Sequence, residues 1–320
     1  MTGVYITIDT EYASSLAGLG RAENFARSIA GETPEGPAGV FYKMRLMERC
    51  GLKGVFFVDP MPALLWGREA IVDVVRPIVE AGHDVQLHCH TEWLELAGSA
   101  NPFGGRTGRN IADFPFDEQC AILEWARDTL VAAGAPRPVA FRAGNYGAND
   151  DTLHALAEIG LAYDTSHTPG IADSACRISL TRRHRRPIRH CGVIEVPTGC
   201  IRTFGRGLRH AQVTAISSDE MLAAIRHARD HHLSSFTLVS HSFELLCRAR
   251  MRVNTILQRR FEKLCKGIAE MPGVASATYA DAPPRPSAKE GPRPVLPASR
   301  MRAGMRMAEQ LVSNSLYGAR

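Results

Sequence analysis

Val85-Gln86-Leu87-His88-Cys89-His90-Thr91-Glu92-Trp93 begins as a β-rich run and ends in two histidines one residue apart, with a carboxylate just beyond. Alternate residues of a strand share a face, so His88 and His90 point one way and Cys89 points the other, toward a core. Asp9-Thr10-Glu11 follows the first β-rich run, residues 4–8, and sets Asp9 and Glu11 on one face by the same rule. Imidazole nitrogens and carboxylate oxygens are the ligand types a divalent metal takes. Two later stretches, Phe141-Arg142-Ala143-Gly144-Asn145 and Leu238-Val239-Ser240-His241, bring an arginine and a further histidine to the ends of β-rich runs.

Working outward, strands are expected at 4–8, 54–58, 84–88, 139–141, 162–164, 193–196, 236–240 and 274–278. Helical spacing fills 38–50, 68–81, 117–133, 149–159, 218–231 and 250–269, with Gly82, Gly134 and Gly160 placed as C-terminal caps. Repeated β-then-α units argue for an α/β fold, a parallel sheet flanked by helices and closed or nearly closed into a barrel. Chemistry in such folds lies at the carboxyl ends of the strands. Asp9, His88, Arg142, Asp164 and His241 all fall there.

The chain has 320 residues, 45% of them apolar, enough for one α/β barrel with a large core. No run approaches the ~20 apolar residues of a membrane span. The N-terminus has no basic or apolar leader pattern, and a cytoplasmic location is expected. The eight cysteines form no CxxC pair, as expected of reduced thiols. The formal charge of +5 is confined to residues 282–320, which hold seven basic and two acidic residues, leaving 31 of each sign before them. A balanced body lacks the broad basic surface of a nucleic-acid binder. The run from Arg182 to His190 reads as a solvated loop, or as a patch for an anionic sugar or phosphorylated headgroup. Six prolines between Pro283 and Pro297 mark an extended linker. Residues 299–316 read as a frayed tail, with a short basic helix that touches a membrane surface or a protein partner as the alternative.

The landmarks resemble the polysaccharide deacetylase family (the NodB-homology domain, carbohydrate esterase family four) over residues 4–280. Five motifs stand in the family's order: Thr7-Ile8-Asp9-Thr10-Glu11 for T-F-D-D; His88-Cys89-His90-Thr91-Glu92 for H-T/S-x-x-H; Arg142-Ala143-Gly144-Asn145-Tyr146; Asp164; and Leu238-Val239-Ser240-His241 for L-x-x-H. The variant is most similar to a branch associated with cell-surface polysaccharide or lipopolysaccharide biosynthesis. The resemblance implies a deformed (β/α) barrel over 1–281, followed by the linker and tail. It makes Asp9 the general base and His241 the general acid. Arg142 orients Asp9, with Asp164 as a further partner or outer anchor of Arg142. Tyr146 lines the substrate groove and offers its backbone N–H to the carbonyl oxygen.

The resemblance also implies one divalent metal, zinc first, with manganese, iron, cobalt or nickel tolerated by a mixed donor set. His88 matches the first family histidine. The family's second metal aspartate is Thr10 here, so Glu11 takes that place; its second histidine is Glu92, so either Glu92 or His90 completes the set. Hydrolysis of an acetamide needs an activated water, a polarised carbonyl and a proton for the leaving amine; one divalent metal supplies the first two, and a histidine across the site the third. The expected activity is removal of an acetyl group from an N-acetylated or O-acetylated saccharide, with an anionic one in view, during polysaccharide or glycolipid assembly. The alternatives are a metal-dependent amidohydrolase on a small or cyclic amide, and an inactive carbohydrate-binding module of the same fold.

Overall fold

The computed structural model describes residues 1–247, 251–286 and 294–318. The chain opens with β1 (Thr2–Thr10), passes through α1 (Arg21–Asn24) and α2 (Val40–Arg49), and enters β2 (Val55–Val58). Helices α3 (Ala63–Trp66) and α4 (Glu69–Glu80) lead to β3 (Asp84–Cys89). Helices α5 (Glu92–Ala97) and α6 (Phe116–Ala132) lead to β4 (Ala140–Ala143), and α7 (Asp150–Glu158) leads to β5 (Tyr163–Asp164). Two antiparallel pairs follow, β6 (Ile188–His190) with β7 (Val193–Glu195) and β8 (Cys200–Arg202) with β9 (Leu208–His210). Helix α8 (Ser218–Asp230) precedes β10 (Ser235–His241), and β11 (Leu246–Cys247) pairs with β12 (Arg252–Val253). The chain then forms α9 (Thr255–Ala269), β13 (Val274–Ser276) and α10 (Arg300–Tyr317).

The main sheet runs β10-β1-β2-β3-β4-β5-β7-β6, parallel except for β6 at one edge. β1 is its seam: one edge carries β10, the other carries β13 along Thr2–Val4 and β2 along Thr7–Thr10. Strand alternation divides the apolar residues into two cores. Ile6, Ile8, Phe56, Val58, Leu87, Cys89 and Phe141 face the helices, whereas Tyr5, Val55, Phe57, Ala140, Ile194 and Tyr279 form a smaller cluster on the opposite face. The side chains at the carboxyl end of that second face are polar, and they make the site. Helix α4 shows how the outer layer holds: Ala70, Ile71, Val74, Val75 and Ile78 form one buried stripe, each large aliphatic contributing about 1.5–3 kcal/mol.

Four expectations change. The barrel is open, with β10 and β6 at its two ends rather than joined among the described residues. The helix expected over 250–269 begins at Thr255, because the Asn254 side chain caps it through Leu257 N–H while Arg252 and Val253 pair with β11; Arg250 lies outside the described residues. The Arg182–His190 run is a loop only as far as Pro187, since Ile188–His190 pairs with β7. The tail is not frayed either. Ser299 caps α10, and the helix docks on the body through Arg306–Glu220 at 3.1 Å, Glu309–Arg260 at 2.7 Å, Ser313–Asn254 at 3.0 Å and Tyr317–Thr255 at 2.7 Å. Much of the Pro-rich linker, 287–293, lies outside the described residues. No helix among those described is long and apolar enough to cross a membrane.

Candidate metal centre and active site

β1 and β3 flank β2; Asp9 and His88 are their last inward polar residues, and Glu11 and His90 continue the alternation one residue past each strand end. Asp9 and Glu11 on one, His88 and His90 on the other, therefore point to the same face. Glu11 Oε2 lies 3.2 Å from His88 Nε2 and 2.6 Å from His90 Nε2, and the three ligand atoms sit within 4.8 Å of one another. Each imidazole is held from behind. His88 Nδ1 donates to the Arg142 carbonyl at 2.7 Å, which leaves Nε2 as a lone-pair donor aimed at Glu11. His90 Nδ1 meets Glu92 Oε2 at 2.8 Å, and Glu92 is in turn 3.5 Å from Arg109. Glu92 thus stands behind His90, not among the converging donors. The close seat of His90 requires Gly144, where an added Cβ would come within 2.7 Å of the ring.

Electrostatics sharpens the picture. Burial pushes Glu11 up, but His90 and His88 outweigh it and hold its carboxyl well below the usual carboxylate range. Burial pushes His90 down, yet Glu11, Glu92 and Asp59 hold it well above an ordinary histidine. Asp59, one residue past β2, is buried and raised to about 6 by that burial despite the pull of His90 and His88. Its Oδ1 accepts from Met61 N–H, while Oδ2 is buried without a partner among the described residues. Two imidazoles and a carboxylate converge here, with a second, half-satisfied carboxylate behind them. This donor set fits a divalent cation.

Beside the donors lies an acid–base group. Arg142, fully buried, donates from Nη1 to Asp9 Oδ1 at 2.5 Å and to Thr7 Oγ1 at 2.9 Å, and its guanidinium covers the Phe57 ring at 4.4 Å. The other Asp9 oxygen faces His241 Nε2 at 3.8 Å, as the pairing of Asp9 with His241 across β1 and β10 dictates. Gln212 orders the far side of His241. Its Nε2 donates to Glu244 Oε1 at 2.7 Å and approaches His241 Nδ1 at 3.2 Å, while its Oε1 accepts from His210 Nε2. An amide N–H against Nδ1 favours the tautomer of the neutral ring that carries its proton on Nε2, toward Asp9. Glu244 also accepts from Thr214 Oγ1 and from the His241 backbone; burial raises it, but His241 and Lys43 outweigh that and keep it below its usual range. Lys43, buried in α2, reaches Ser240 Oγ at 2.8 Å and the His241 carbonyl, and burial lowers its pKa to about 8.

The structure therefore gathers Asp9, Glu11, His88, His90, Arg142 and His241, with Glu92 one layer back. Asp164 is placed differently. It pairs in register with Phe141 and Glu195, and Phe141 faces the helices. Its oxygens accept from Ser166 N and Oγ at 2.8 Å each, and none of the hydrogen bonds among the described residues joins it to Arg142. Burial and Asp164 together hold Glu195 well above the carboxylate range, and burial raises Asp164 as well. Trp93, at the end of the stretch that holds the two histidines, is buried in the core edge-on to Trp66. Asn145 and Tyr146 both adopt positive φ, 55° and 57°, a strained pair that sets Tyr146 beside Arg142 with its hydroxyl buried and unpartnered among the described residues. Sequence reading missed Asp59, Gln212, Glu244 and Lys43. Asp59 was accessible to it, since Phe57 and Asp59 follow the alternation that set Asp9 and Glu11.

No protein-family model and no curated protein matches the chain. Among solved structures it resembles a protein from Mycobacterium smegmatis assigned to the polysaccharide deacetylases, with 18% identity over 92% of this chain and 95% of that one and a TM-score of 0.54. It resembles a 4-alpha-glucanotransferase from Thermococcus litoralis with 10% identity over 93% of this chain and 42% of that one, also at 0.54. A family 4 carbohydrate esterase from Streptomyces lividans in complex with acetate overlaps 90% of this chain and 98% of its own at 12% identity and 0.42. A glycosyl-transferring enzyme shares the fold as closely as a deacetylase does, so the chemistry has to come from the side chains. What the likeness establishes is the architecture: this chain folds as the deformed (β/α) barrel in which polysaccharide deacetylases are built.

Proposed function

We propose that this protein is a metal-dependent hydrolase that removes the acetyl group of an N-acetylated sugar. The observation that carries this reading is the convergence of Glu11, His88 and His90 beside an Arg142-bound Asp9, with His241 across from it. Glu11, His88 and His90 would hold the cation, with zinc as the first choice and Glu92 fixing His90 from behind. When bound, the ion would lower the pKa of a water and polarise the acetyl carbonyl. Asp9 takes the proton of the attacking water, and the ion pair with Arg142 holds Asp9 in place. By its place in the family motif, the Tyr146 backbone N–H would receive the developing oxyanion. His241 acts as the acid in its imidazolium form and gives the Nε2 proton to the leaving nitrogen, a step worth roughly 10²–10⁴-fold in rate. Only then does the C–N bond break to give acetate and a free amine. O-acetyl sugars would follow the same course with an alcohol as the leaving group. We place the reaction in polysaccharide or glycolipid assembly, as the family resemblance implies.

Metal content and acetate release from acetylated saccharides test this together. Wild type should hold one cation per chain and release acetate. Asp9→Asn should keep the cation and lose turnover. Loss of metal in Asp9→Asn would exchange the roles of Asp9 and Glu11, and a metal-free wild type after zinc, manganese, iron, cobalt and nickel reconstitution would refute the reading.

A further inference from the structure

We propose that α10 seats the protein on an anionic lipid surface. A helix docked on a globular body ordinarily buries its apolar face. Here the arrangement is reversed: the side that carries Arg306, Glu309, Ser313 and Tyr317 makes the contacts with α8, α9 and the β12–α9 turn. The outward side carries Met301, Met305, Met307, Leu311 and Val312, exposed to 73, 50, 58, 70 and 50%. At 100° per residue these five fall within one half of the helix circumference. Phe204, 56% exposed, stands on the β8–β9 turn, which together with Arg302 and Arg306 walls a small cleft beside the start of α10. Contiguous apolar surface of this kind is rare on a protein that meets only water.

Charge selects the occupant. The excess positive charge of the chain lies in residues 282–320, the segment that includes this helix. Arg300 on the helix itself and Arg202 on the wall of that cleft are exposed. A second copy would set one basic helix against another, whereas an anionic bilayer is complementary to both the apolar stripe and the flanking arginines. The last turn of α10 reaches Thr255, which follows the exit of β10, so the contact lies toward the end of the barrel that holds the site. The proposal does not depend on the reaction assigned to that site.

The test is co-sedimentation of the full chain with vesicles of phosphatidylethanolamine and phosphatidylglycerol, against phosphatidylcholine alone, at low and high salt. Light scattering runs in parallel. Wild type is expected to pellet with the anionic vesicles and to be released by salt. The double variant Met305→Asp/Leu311→Asp, with wild-type circular dichroism, should bind on the order of tenfold or more weakly. Three results would overturn the proposal: wild type that stays in the supernatant, a variant that pellets as well as wild type, or a wild-type dimer that the variant converts to monomer, which would assign the face to a second copy.

Discussion

At the scale of single residues, the proposed site separates the converging donors from the groups that aim them. His90 Nε2 faces Glu11 while its Nδ1 is taken by Glu92, so the two are not equivalent. His90→Ala should abolish stoichiometric metal binding, measured by mass spectrometry. Glu92→Gln, which keeps the shape but not the charge, should retain the ion with affinity weakened by about 10–100-fold. Gln212 offers a sharper test. Replacing its amide by a carboxylate would set an acceptor against His241 Nδ1 and favour the charged imidazolium. The alkaline limb of the rate profile, where the acid loses its proton, should therefore move to higher pH in Gln212→Glu. An unmoved limb would remove His241 from the role of acid.

At the scale of elements, the face of each side chain follows from counting by twos along a strand. This made Asp9, Glu11, His88 and His90 legible together, and Cys89 legible as a core residue. The same count places Asp164 with Phe141, so proximity to a strand end was not enough to bring it to Arg142. Glu244, Gln212 and Lys43 were beyond reach because they arrive from a turn, a bridge beside β10 and a helix, where spacing carries no directional rule. Helix boundaries were read within a few residues, except where a cap overrode periodicity, as Asn254 does at α9. Ser217 is the corresponding device on α8: its side chain accepts from Glu220 N–H and Glu220 returns to Ser217 N–H. Ser217→Ala should cost about 1 kcal/mol in urea denaturation without changing metal content.

At the scale of the whole molecule, buried charge makes stability depend on pH. Asp164 and Glu195, paired in register and both buried, have carboxyls raised above their ordinary values. Folding therefore favours a proton on the pair. That contribution is complete below the ordinary carboxylate range and is lost as pH climbs through the raised values. Glu195→Gln, which stays neutral, should raise the melting temperature at pH 8 relative to wild type and narrow that difference at pH 4. A constant difference across pH would place the titration elsewhere. The metal donors lie on the other face of the sheet, so this variant should leave metal content unchanged.

β1 is the first strand to be made, and on one edge its partner comes late: Thr7 and Leu238, joined by a hydrogen bond, are 231 residues apart. A nascent chain that has reached α7 already carries Glu11, His88, His90, Asp9 and Arg142, yet it lacks His241 and leaves an apolar strand edge bare. On the proposed reading, the order of synthesis would set capture of an ion ahead of the capacity to donate a proton. Chains halted between β4 and β10 would combine the gathered donors with an edge open to pairing with other chains, the kind of edge that invites aggregation.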